Sequence, residues 1–362
     1  MSEKWDFHWL TSWNEIWSSS FVRQWQSWIN QSPDAHVFFE PSLVRAWFET
    51  YKDLRTIDPC FLIARSREDN IVFFPLVFDR GGWREAWQLS LIPVGHTDFD
   101  YHYPILTNRT EPNLLANFWT EFFIQVEKKL LRSVDMVFIN GLHQKFISNI
   151  DMFYESDVSP YINLKSINSV DRFIGTLSRR TREDVRRKKR RLEKLGRLHF
   201  RIYSSQEIEE ALAILPTILA EHSKKWPNSY KAPYFHENII RNGLEAGILH
   251  MSELLLGDKA ISWHIGFSHK SIFYWYLPVY KPKFSLYSPG QTHLIFCIEE
   301  AINKGSDIFD FLRGDEGYKK KFANEFYGLF EIKKTSGRIK SYFRSVFINS
   351  IKPLLRKFLF LD

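Results

Sequence analysis

Acidic and aromatic side chains cluster in the run DIFDFLRGDEGYKKKF, residues 307–322. Strand alternation places Asp310 on an otherwise apolar face. A carboxylate inside an apolar strand is costly to bury unless it is paired, and Arg313 or His264 could be its partner. Asp310 is therefore predicted either as an acid of a reactive site or as a structural acid that pairs with a loop amide or with one of those cations.

The loop that follows this strand carries further candidates. Asp315 and Glu316 are loop carboxylates, and such groups are commonly only solvated. Tyr318 has a phenolic proton to donate, or it anchors the loop with a neighbouring aromatic. Lys319 begins a group of three lysines that either approach an anion or stay solvated.

A Ser-Pro-Gly turn precedes an apolar helical run in YSPGQTHLIF, residues 287–296. Amides at a helix N-terminus lack intrahelical partners and carry positive partial charge, so they hold a phosphate without any side chain. Gly290 lets a ligand come close, and Pro289 stiffens the approach. Ser288 and Thr292 can add hydroxyl donors. The turn is predicted either as a pyrophosphate site or as an ordinary capped helix start.

Two further sets of polar residues lie elsewhere in the chain. His264, in the middle of the strand-like run ISWHIGF, is predicted as a hydrogen-bonded core histidine, with a general base as the alternative. A polar and aromatic loop contains Asp98, Asp100, Tyr101 and His102. Its composition suits hydrogen bonds to sugar hydroxyls or the positioning of an amine, and a plain Asx turn is the alternative.

Length and composition limit the class of protein. With 362 residues, 44% of them hydrophobic and 17% aromatic, the chain can build two domains with sizeable cores. We expect a cytoplasmic protein, because the N-terminus lacks a signal-peptide layout and no apolar run is long enough to span a membrane. Cys60 and Cys297 lie in apolar runs without a CxxC or a nearby His pair, so reduced packing residues and no metal are predicted.

The net charge of +7 is concentrated in two segments. Residues 179–191 contain nine basic and two acidic side chains, and residues 333–362 contain eight basic and one acidic side chain, so each segment carries +7. The rest of the chain is therefore acidic, and anionic partners are expected at two places. One of them is an anionic membrane surface, because residues 341–362 form a basic amphipathic tail that suits an interfacial helix or packs on the protein body.

Two more helices are predicted from spacing. In the basic linker helix, residues 176–195, a narrow apolar stripe is formed by Leu177, Val185, Leu192 and Leu195. Near the N-terminus a tryptophan recurs every four residues, which predicts one aromatic helix face that stacks on sugar rings or packs on the body, formed by Trp5, Trp9, Trp13 and Trp17.

The same order of elements occurs twice. Residues 248–278 are predicted as three antiparallel strands, with turns at Gly257-Asp258 and Ser268-His269, before the SPG turn, its helix and the strand in DIFDFL. Residues 60–141 repeat this order more weakly and lack the glycine of the turn. A working backbone cradle is therefore expected only in the second half.

Five motifs in order carry a resemblance to a known family. They are FFEPSLVRAWF (38–48), DFDYHYPIL (98–106), SRRTREDVRRKKRRLEKLGRLHF (178–200), YSPGQTHL (287–294) and FDFLRGDEGYKKKF (309–322). The sequence resembles the GNAT acyltransferases and, more narrowly, the CelD-like (cellulose-biosynthesis type) acetyltransferases, which are relatives of the FemAB-type double-GNAT proteins. The resemblance covers most of the chain between about residues 35 and 330.

The resemblance implies an α+β fold of two tandem GNAT-like domains, each a mainly antiparallel twisted sheet flanked by helices, with the acceptor in a central cleft. The expected divisions are a Trp-rich helical segment at 1–34, a degenerate domain at 35–160, a GNAT domain at 161–340 and the tail at 341–362.

The resemblance also implies an acyl-CoA-dependent N- or O-acyltransferase, with acetyl-CoA as co-substrate and an envelope- or polysaccharide-related sugar or peptide as acceptor. Asp315 and Glu316 would then be acids near the acceptor, Tyr318 would give a proton to the leaving thiolate, and the loop at 98–102 would face the cleft. The cofactor would be held by Tyr276, Leu277, Ser288, Gly290, Gln291, Thr292 and Lys319.

Two other functions remain open. A FemAB-type transferase that draws its donor from charged tRNA would use the basic helix at 179–191 to hold RNA phosphates. A non-catalytic protein would bind a polysaccharide or membrane surface through its tryptophans and basic tail. For an acyltransferase, direct transfer in a ternary complex is expected, because no Cys or Ser has the setting of a nucleophile.

Overall fold

The computed structural model of the protein describes residues 5–82, 87–107, 114–130, 134–147, 153–227, 229 and 232–336. The tail predicted at residues 341–362 lies outside them. The strands are β1 (Asp6–Leu10), β2 (Thr56–Pro59), β3 (Phe61–Arg65), β4 (Ile71–Phe74), β5 (Leu76–Arg80), β6 (Leu89–Pro93), β7 (Ile105–Leu106), β8 (Met136–His143), β9 (Tyr154–Asn163), β10 (Leu198–Ile202), β11 (Leu249–Leu256), β12 (Lys259–His269), β13 (Ile272–Tyr280), β14 (Ile308–Asp310) and β15 (Glu325–Thr335). The helices are α1 (Trp13–Ile16), α2 (Ser19–Gln31), α3 (Pro41–Tyr51), α4 (Leu114–Gln125), α5 (Val170–Thr176), α6 (Arg179–Glu193), α7 (Ile208–Lys225), α8 (Phe235–Glu245) and α9 (Pro289–Asn303).

The chain forms two compact units. The first unit is Met1–Ser156 with Leu329–Asp362, and the second unit is Asp157–Gly328. Strand β15 begins in the second unit, and its residues from Leu329 onward pair with β8 in the first. The predicted boundaries differ from this division, since the run EFYGLFEIKKT continues through the boundary without any turn signal.

The first unit contains two sets of paired strands. One is antiparallel in the order β1-β3-β4-β7, and the other runs from β15 through β8, β6 and β5 to β2, with β6 and β8 parallel. The run IVFFPLVF, residues 71–78, forms β4 and β5, which lie in different sheets. Pro75 separates them because proline cannot donate to a strand ladder.

The predicted tryptophan helix near the N-terminus is wrong for residues 6–10, which form strand β1 paired with β3. A spacing of four is also a multiple of the strand period of two, so it could not separate the two structures. The rings pack within the first unit: Trp5 lies against Phe118, and Trp13 lies against Phe48. The interpretation of these tryptophans as packing residues is therefore the one the structure supports.

The second unit has strand order β10-β11-β12-β13-β14-β9. The predicted meander is confirmed, because β11, β12 and β13 pair antiparallel in sequence. Its second turn lies at Lys270-Ser271, since β12 extends to His269. Helix α9 then crosses to β14, which runs parallel to β13. The predicted mixed α+β class with mainly antiparallel sheets is confirmed.

Helix α9 packs on the β11–β13 face, and α5 and α6 pack on α9. On the predicted linker stripe, Leu177, Val185 and Leu192 are buried. Leu195 is 49% exposed, contrary to the prediction, because α6 ends at Glu193 and the helical spacing no longer applies. Among the described residues, no helix combines the length and apolar character needed to cross a membrane.

Candidate functional site

Strands β13 and β14 pair over only three residues. Ile272–Tyr274 of β13 pair with Ile308–Asp310 of β14. Beyond Tyr274, β13 extends to Tyr280 without pairing to β14. The opposite edge of β13 stays paired with β12 along this length. The edge of residues 275–280 is therefore not covered by β14, and main-chain groups there can bond a ligand.

The turn before α9 is built around Ser288, which has left-handed backbone angles (φ +52°) and caps the helix with its carbonyl alone. That carbonyl accepts from the amides of Gln291 and Thr292, at 3.1 and 3.3 Å. The predicted cradle is thus smaller than expected: Pro289 has no N–H, and the Thr292 amide is already bonded. Among the described residues, the Gly290 amide keeps no partner.

A close contact with Tyr280 explains why position 290 is a glycine. A Cβ at Gly290 would lie 3.2 Å from the Tyr280 ring, so the absence of a side chain lets that ring rest against the turn. Tyr280 is 40% exposed at the end of β13. The uncovered edge of β13 and the start of α9 therefore meet at Gly290 and Tyr280.

Basic residues of α6 surround the start of α9. Lys188 donates through Nζ to Oε1 of Gln291 at 2.6 Å, and its Nζ also lies 2.6 Å from Asp184. Lys189 lies over the Phe296 ring. The charge of this helix is evident from the sequence, but its contact with the turn is not, because the two segments are about a hundred residues apart.

A cavity of about 320 Å³ lies among α5, α6 and α9. Its polar lining includes Arg186, Lys189, Gln291 and Thr292, and Phe296 contributes a ring. Thr292 is buried. The volume is at the lower end of the range of small-molecule sites.

Asp310 is a structural acid of the loop after β14. One carboxylate oxygen, Oδ1, accepts from the Leu312 amide at 2.7 Å and from Ser159 Oγ at 3.1 Å. The loop-amide alternative is therefore the observed one. The expected pairing with Arg313 is wrong, because the Arg313 guanidinium bonds Asp157 at 2.8 Å. Within the part of the chain that the structure describes, no hydrogen bond joins Asp310 to His264.

The acids of the following loop are paired with lysines. Asp315 lies 2.7 Å from Lys320 at the surface, and Glu316 lies 2.8 Å from Lys319. Lys319 is only 4% exposed and also donates to the carbonyl of Arg313 at 2.7 Å. The ammonium of Lys319 is thus enclosed by its own loop, and the expectation that it meets a cofactor phosphate stays a prediction.

Tyr318 lies in the loop after β14, with its hydroxyl beside the Trp275 ring. Its hydroxyl oxygen accepts from Trp275 Nε1 at 3.2 Å, so the phenolic proton is free to point elsewhere and has no acceptor among the described residues. Burial raises the pKa of Tyr318, which keeps the group protonated at neutral pH. Trp275 in turn stacks on His264, with ring centroids 4.1 Å apart.

His264 lies in the core under α9. It is fully buried, and burial holds its pKa well below the ordinary value, so it is a weak base. The two cysteines are free and buried, and burial raises the pKa of Cys60 to about 12 and that of Cys297 as well. Neither thiol is a ready nucleophile.

Of the other predicted cofactor residues, Leu277 is buried on β13, and Tyr276 is half-buried and contacts the Phe267 ring. Both lie beyond the end of the β13–β14 pairing. They are thus in the part of β13 that also carries Tyr280.

The polar loop of the first unit is mostly internal. Tyr101 and His102 are almost fully buried, and His102 Nδ1 lies 3.1 Å from the Asn140 carbonyl oxygen. Asp98 accepts from Tyr51 Oη at 2.9 Å, and the Asp100 carbonyl lies so close to Gly141 that a Cβ there would be 2.4 Å away. Tyr101 and His102 therefore pack inside the unit, and the sugar-binding interpretation of this loop stays a prediction.

Residues 179–320 match the family model of an acetyltransferase (GNAT) domain. The match extends from α6 through the α9 turn to the loop with Tyr318. Over residues 179–320 the chain thus matches a GNAT acetyltransferase domain, and the predicted enzyme class, a GNAT-type acyltransferase, is confirmed. The narrower CelD-like assignment stays a prediction. No curated protein matches the chain.

Solved structures share the fold. FemX superimposes with a TM-score of 0.57 at 10% identity, over 86% of this chain and 95% of FemX. A conserved protein of unknown function from Bacteroides thetaiotaomicron VPI-5482 has a TM-score of 0.52 at 12% identity, over 86% of this chain and 96% of its own. At such identities the likeness shows the fold alone.

The enclosed position of Lys319 predicts a structural effect. Lys319→Met should lower the free energy of unfolding by about 1–2 kcal/mol, because the Arg313 carbonyl loses its donor and Glu316 loses its cation. Acetyl-CoA affinity should stay unchanged. Lys320→Met, at an exposed pair, is the control for urea unfolding and calorimetric titration. If the Lys319 variant has normal stability but binds acetyl-CoA more weakly, Lys319 contacts the cofactor.

His293 predicts a pH dependence of stability. It lies in the core between Ser252 and Ser262, and burial lowers its pKa to about 3, against about 6.5 when unfolded. Between these values the unfolded chain binds one more proton, so stability is full above about pH 6.5 and falls by about 1.4 kcal/mol per pH unit below it.

His293→Gln removes the imidazole that takes up a proton when the chain unfolds. Urea unfolding at pH 7.5 and 5.5 should therefore show the variant's deficit against the natural chain shrinking by about 1.4 kcal/mol at the lower pH. An equal deficit at both values would mean that His293 is not held neutral by the fold.

Proposed function

We propose that the second unit transfers an acyl group, namely acetyl, from CoA directly to an amine or hydroxyl of its acceptor. The observation that carries the proposal is the meeting of the uncovered β13 edge with the start of α9 at Gly290 and Tyr280. Tyr318 lies in the same unit, and the GNAT match supports a CoA thioester as the donor.

The pyrophosphate of CoA is proposed to bind at the amide of Gly290. The N-terminus of α9 supplies a partial positive charge, and Lys188 adds a full one within hydrogen-bond distance of Gln291. Arg186 and Lys189 line the adjacent cavity, where a further phosphate can be neutralised. Ser288 Oγ caps no amide of α9, so it can donate to the ligand.

The thioester arm would then follow β13. An extended pantetheine chain can add main-chain hydrogen bonds along residues 275–280, which β14 leaves uncovered. An amide of this edge that points at the thioester carbonyl would stabilise the oxyanion that forms during transfer. Because these donors belong to a paired strand, they need no reorganisation during the reaction.

Tyr318 is proposed as the general acid. When the acceptor attacks, the carbon–sulfur bond breaks and the CoA thiolate needs a proton, which the phenol can give. The Trp275 N–H bond fixes the hydroxyl oxygen and stabilises the phenolate that forms. The attacking amine must arrive neutral, since Asp310, Asp315 and Glu316 are each engaged elsewhere.

The acceptor is proposed to be a sugar or peptide precursor of the envelope or of a polysaccharide. This part of the proposal rests on the resemblance to CelD-like proteins. Direct transfer is favoured over a thioester intermediate on the enzyme, because the two cysteines of the chain are buried and their thiols are hard to ionise.

A substitution at Gly290 tests the donor site. Gly290→Val should weaken acetyl-CoA binding at least about tenfold in calorimetric titration, because the added groups cover the amide and push on the Tyr280 ring. Gly175→Val is the matched control, since a Cβ there meets no atom within 4 Å. Equal affinity in both variants, or no binding by the natural chain at millimolar acetyl-CoA, would remove the proposed site.

A substitution at Tyr318 tests the general acid. Tyr318→Phe should lower kcat about a hundredfold or more and leave KM for acetyl-CoA nearly unchanged, measured by thiol release with an amino-sugar acceptor. The loss should be smaller with a thioester whose thiol is more acidic, which a merely structural role would not produce. Tyr203→Phe, at another buried tyrosine, is the control. A Tyr318 variant equally impaired with both thioesters would contradict the assignment.

An aminoacyl-tRNA donor has one supporting observation, the exposed basic residues of α6 such as Arg180, Arg187 and Arg190. Thermal shifts with acetyl-CoA and with charged tRNA distinguish the two donors. Protection by acetyl-CoA alone supports the proposal. Protection by charged tRNA alone, weakening steeply with salt, would overturn it.

A further inference from the structure

Three side chains that can bind a metal converge beneath α9. His250 comes from β11, His264 from β12 and Cys297 from α9, and their potential ligand atoms all lie within 4.8 Å of one another. Each residue is at most 1% exposed. The cluster lies in the core of the second unit and is separate from the Gly290 turn.

The polar atoms of this cluster are poorly satisfied. Among the described residues, neither ring nitrogen of His250 has a hydrogen-bond partner, nor has Nε2 of His264. The nearby His293 shows the contrast, because its two nitrogens lie 3.0 Å from Ser252 Oγ and Ser262 Oγ. Buried polar atoms without partners are rare in folded proteins, so two such imidazoles side by side call for a missing group.

The chemistry of the group follows from the side chains. A neutral imidazole nitrogen without a hydrogen-bond partner has a lone pair that it can give to a metal ion. Cys297 Sγ lies 3.9 Å from His264 Nδ1. Imidazole with thiolate is the ligand set that zinc prefers.

We propose that His250, His264 and Cys297 bind one zinc ion. Bonds of about 2.0 Å to nitrogen and about 2.3 Å to sulfur put two nitrogens and one sulfur about 3.3–3.5 Å apart in a tetrahedral site, so shifts of about 1 Å or less in each side chain close the cluster. The Cys297 thiol releases its proton to solvent on binding, and Ser252 Oγ lies 3.7 Å from Sγ.

Such an ion would tie α9 to β11 and β12, so it would hold the helix whose N-terminus forms the proposed donor site. The sequence could not indicate it. The ligands are 14 and 33 residues apart along the chain, without the short spacings that mark zinc sites. The earlier expectation of no metal rested on those spacings alone.

Metal analysis of the full chain tests the proposal. The natural chain, reconstituted with zinc in the absence of acyl-CoA and passed over a desalting column, should retain about one zinc per chain. Cys297→Ala should retain close to none. Cys60→Ala, which removes the other buried free cysteine, should match the natural chain.

Cobalt supplies a spectroscopic readout and guards against misfolding. Cobalt should give thiolate charge-transfer absorption in the natural chain and in Cys60→Ala but not in Cys297→Ala. His250→Phe, which fills the same space, is the second variant, and circular dichroism checks that both fold. A strong chelator should lower the Tm of the natural chain and leave Cys297→Ala unaffected.

The proposal is overturned if the natural chain retains no zinc after reconstitution, or if folded Cys297→Ala retains as much as the natural chain. Because these measurements contain no acyl-CoA, their failure would leave the proposed acyltransfer untouched. Loss of acetyl-CoA binding with zinc retained would in turn count against the donor site alone.

Discussion

The packing of α9 between the β11–β13 face and helices α5 and α6 constrains the whole second unit. Nine of its fifteen residues are buried, from Pro289 to Ile302, so most of the helix surface packs against the rest of the unit. Its N-terminus is therefore fixed beside the end of β13. The same burial forces its polar side chains to find partners inside the core, which His293 does through two serines.

In the loop after β14, charged side chains stabilise the backbone conformation. Leu312 has a φ of +61°, which is unfavourable for a residue with a branched side chain. Asp310 stabilises that conformation by accepting from the Leu312 amide, and Lys319 holds the next carbonyl from within the loop. Together they fix the segment that ends at Tyr318, so the charged groups of the motif position the residue proposed as the proton donor.

Local sequence patterns predicted much of the fold. They could not predict contacts between residues that are far apart in the sequence. The β11–β13 meander and α9 follow from alternation, turn residues and helical spacing, which are properties of short windows. The partner of Asp310 could not be found in this way, because Ser159 is 151 residues away along the chain. The tryptophan spacing failed for a different reason, since a period of four fits a strand as well as a helix.

The position of Lys188 links the charge pattern of the sequence to the proposed chemistry. A lysine beside the N-terminus of a helix meets the positive end of the helix dipole, which is unfavourable by some tenths of a kcal/mol. Asp184 offsets part of this charge from the same helix. An anionic ligand at Gly290 would face both Lys188 and the dipole, so the same arrangement would favour a bound diphosphate. The basic run of α6 would then contribute to donor binding, although it precedes the sheet in sequence and forms none of the turn itself.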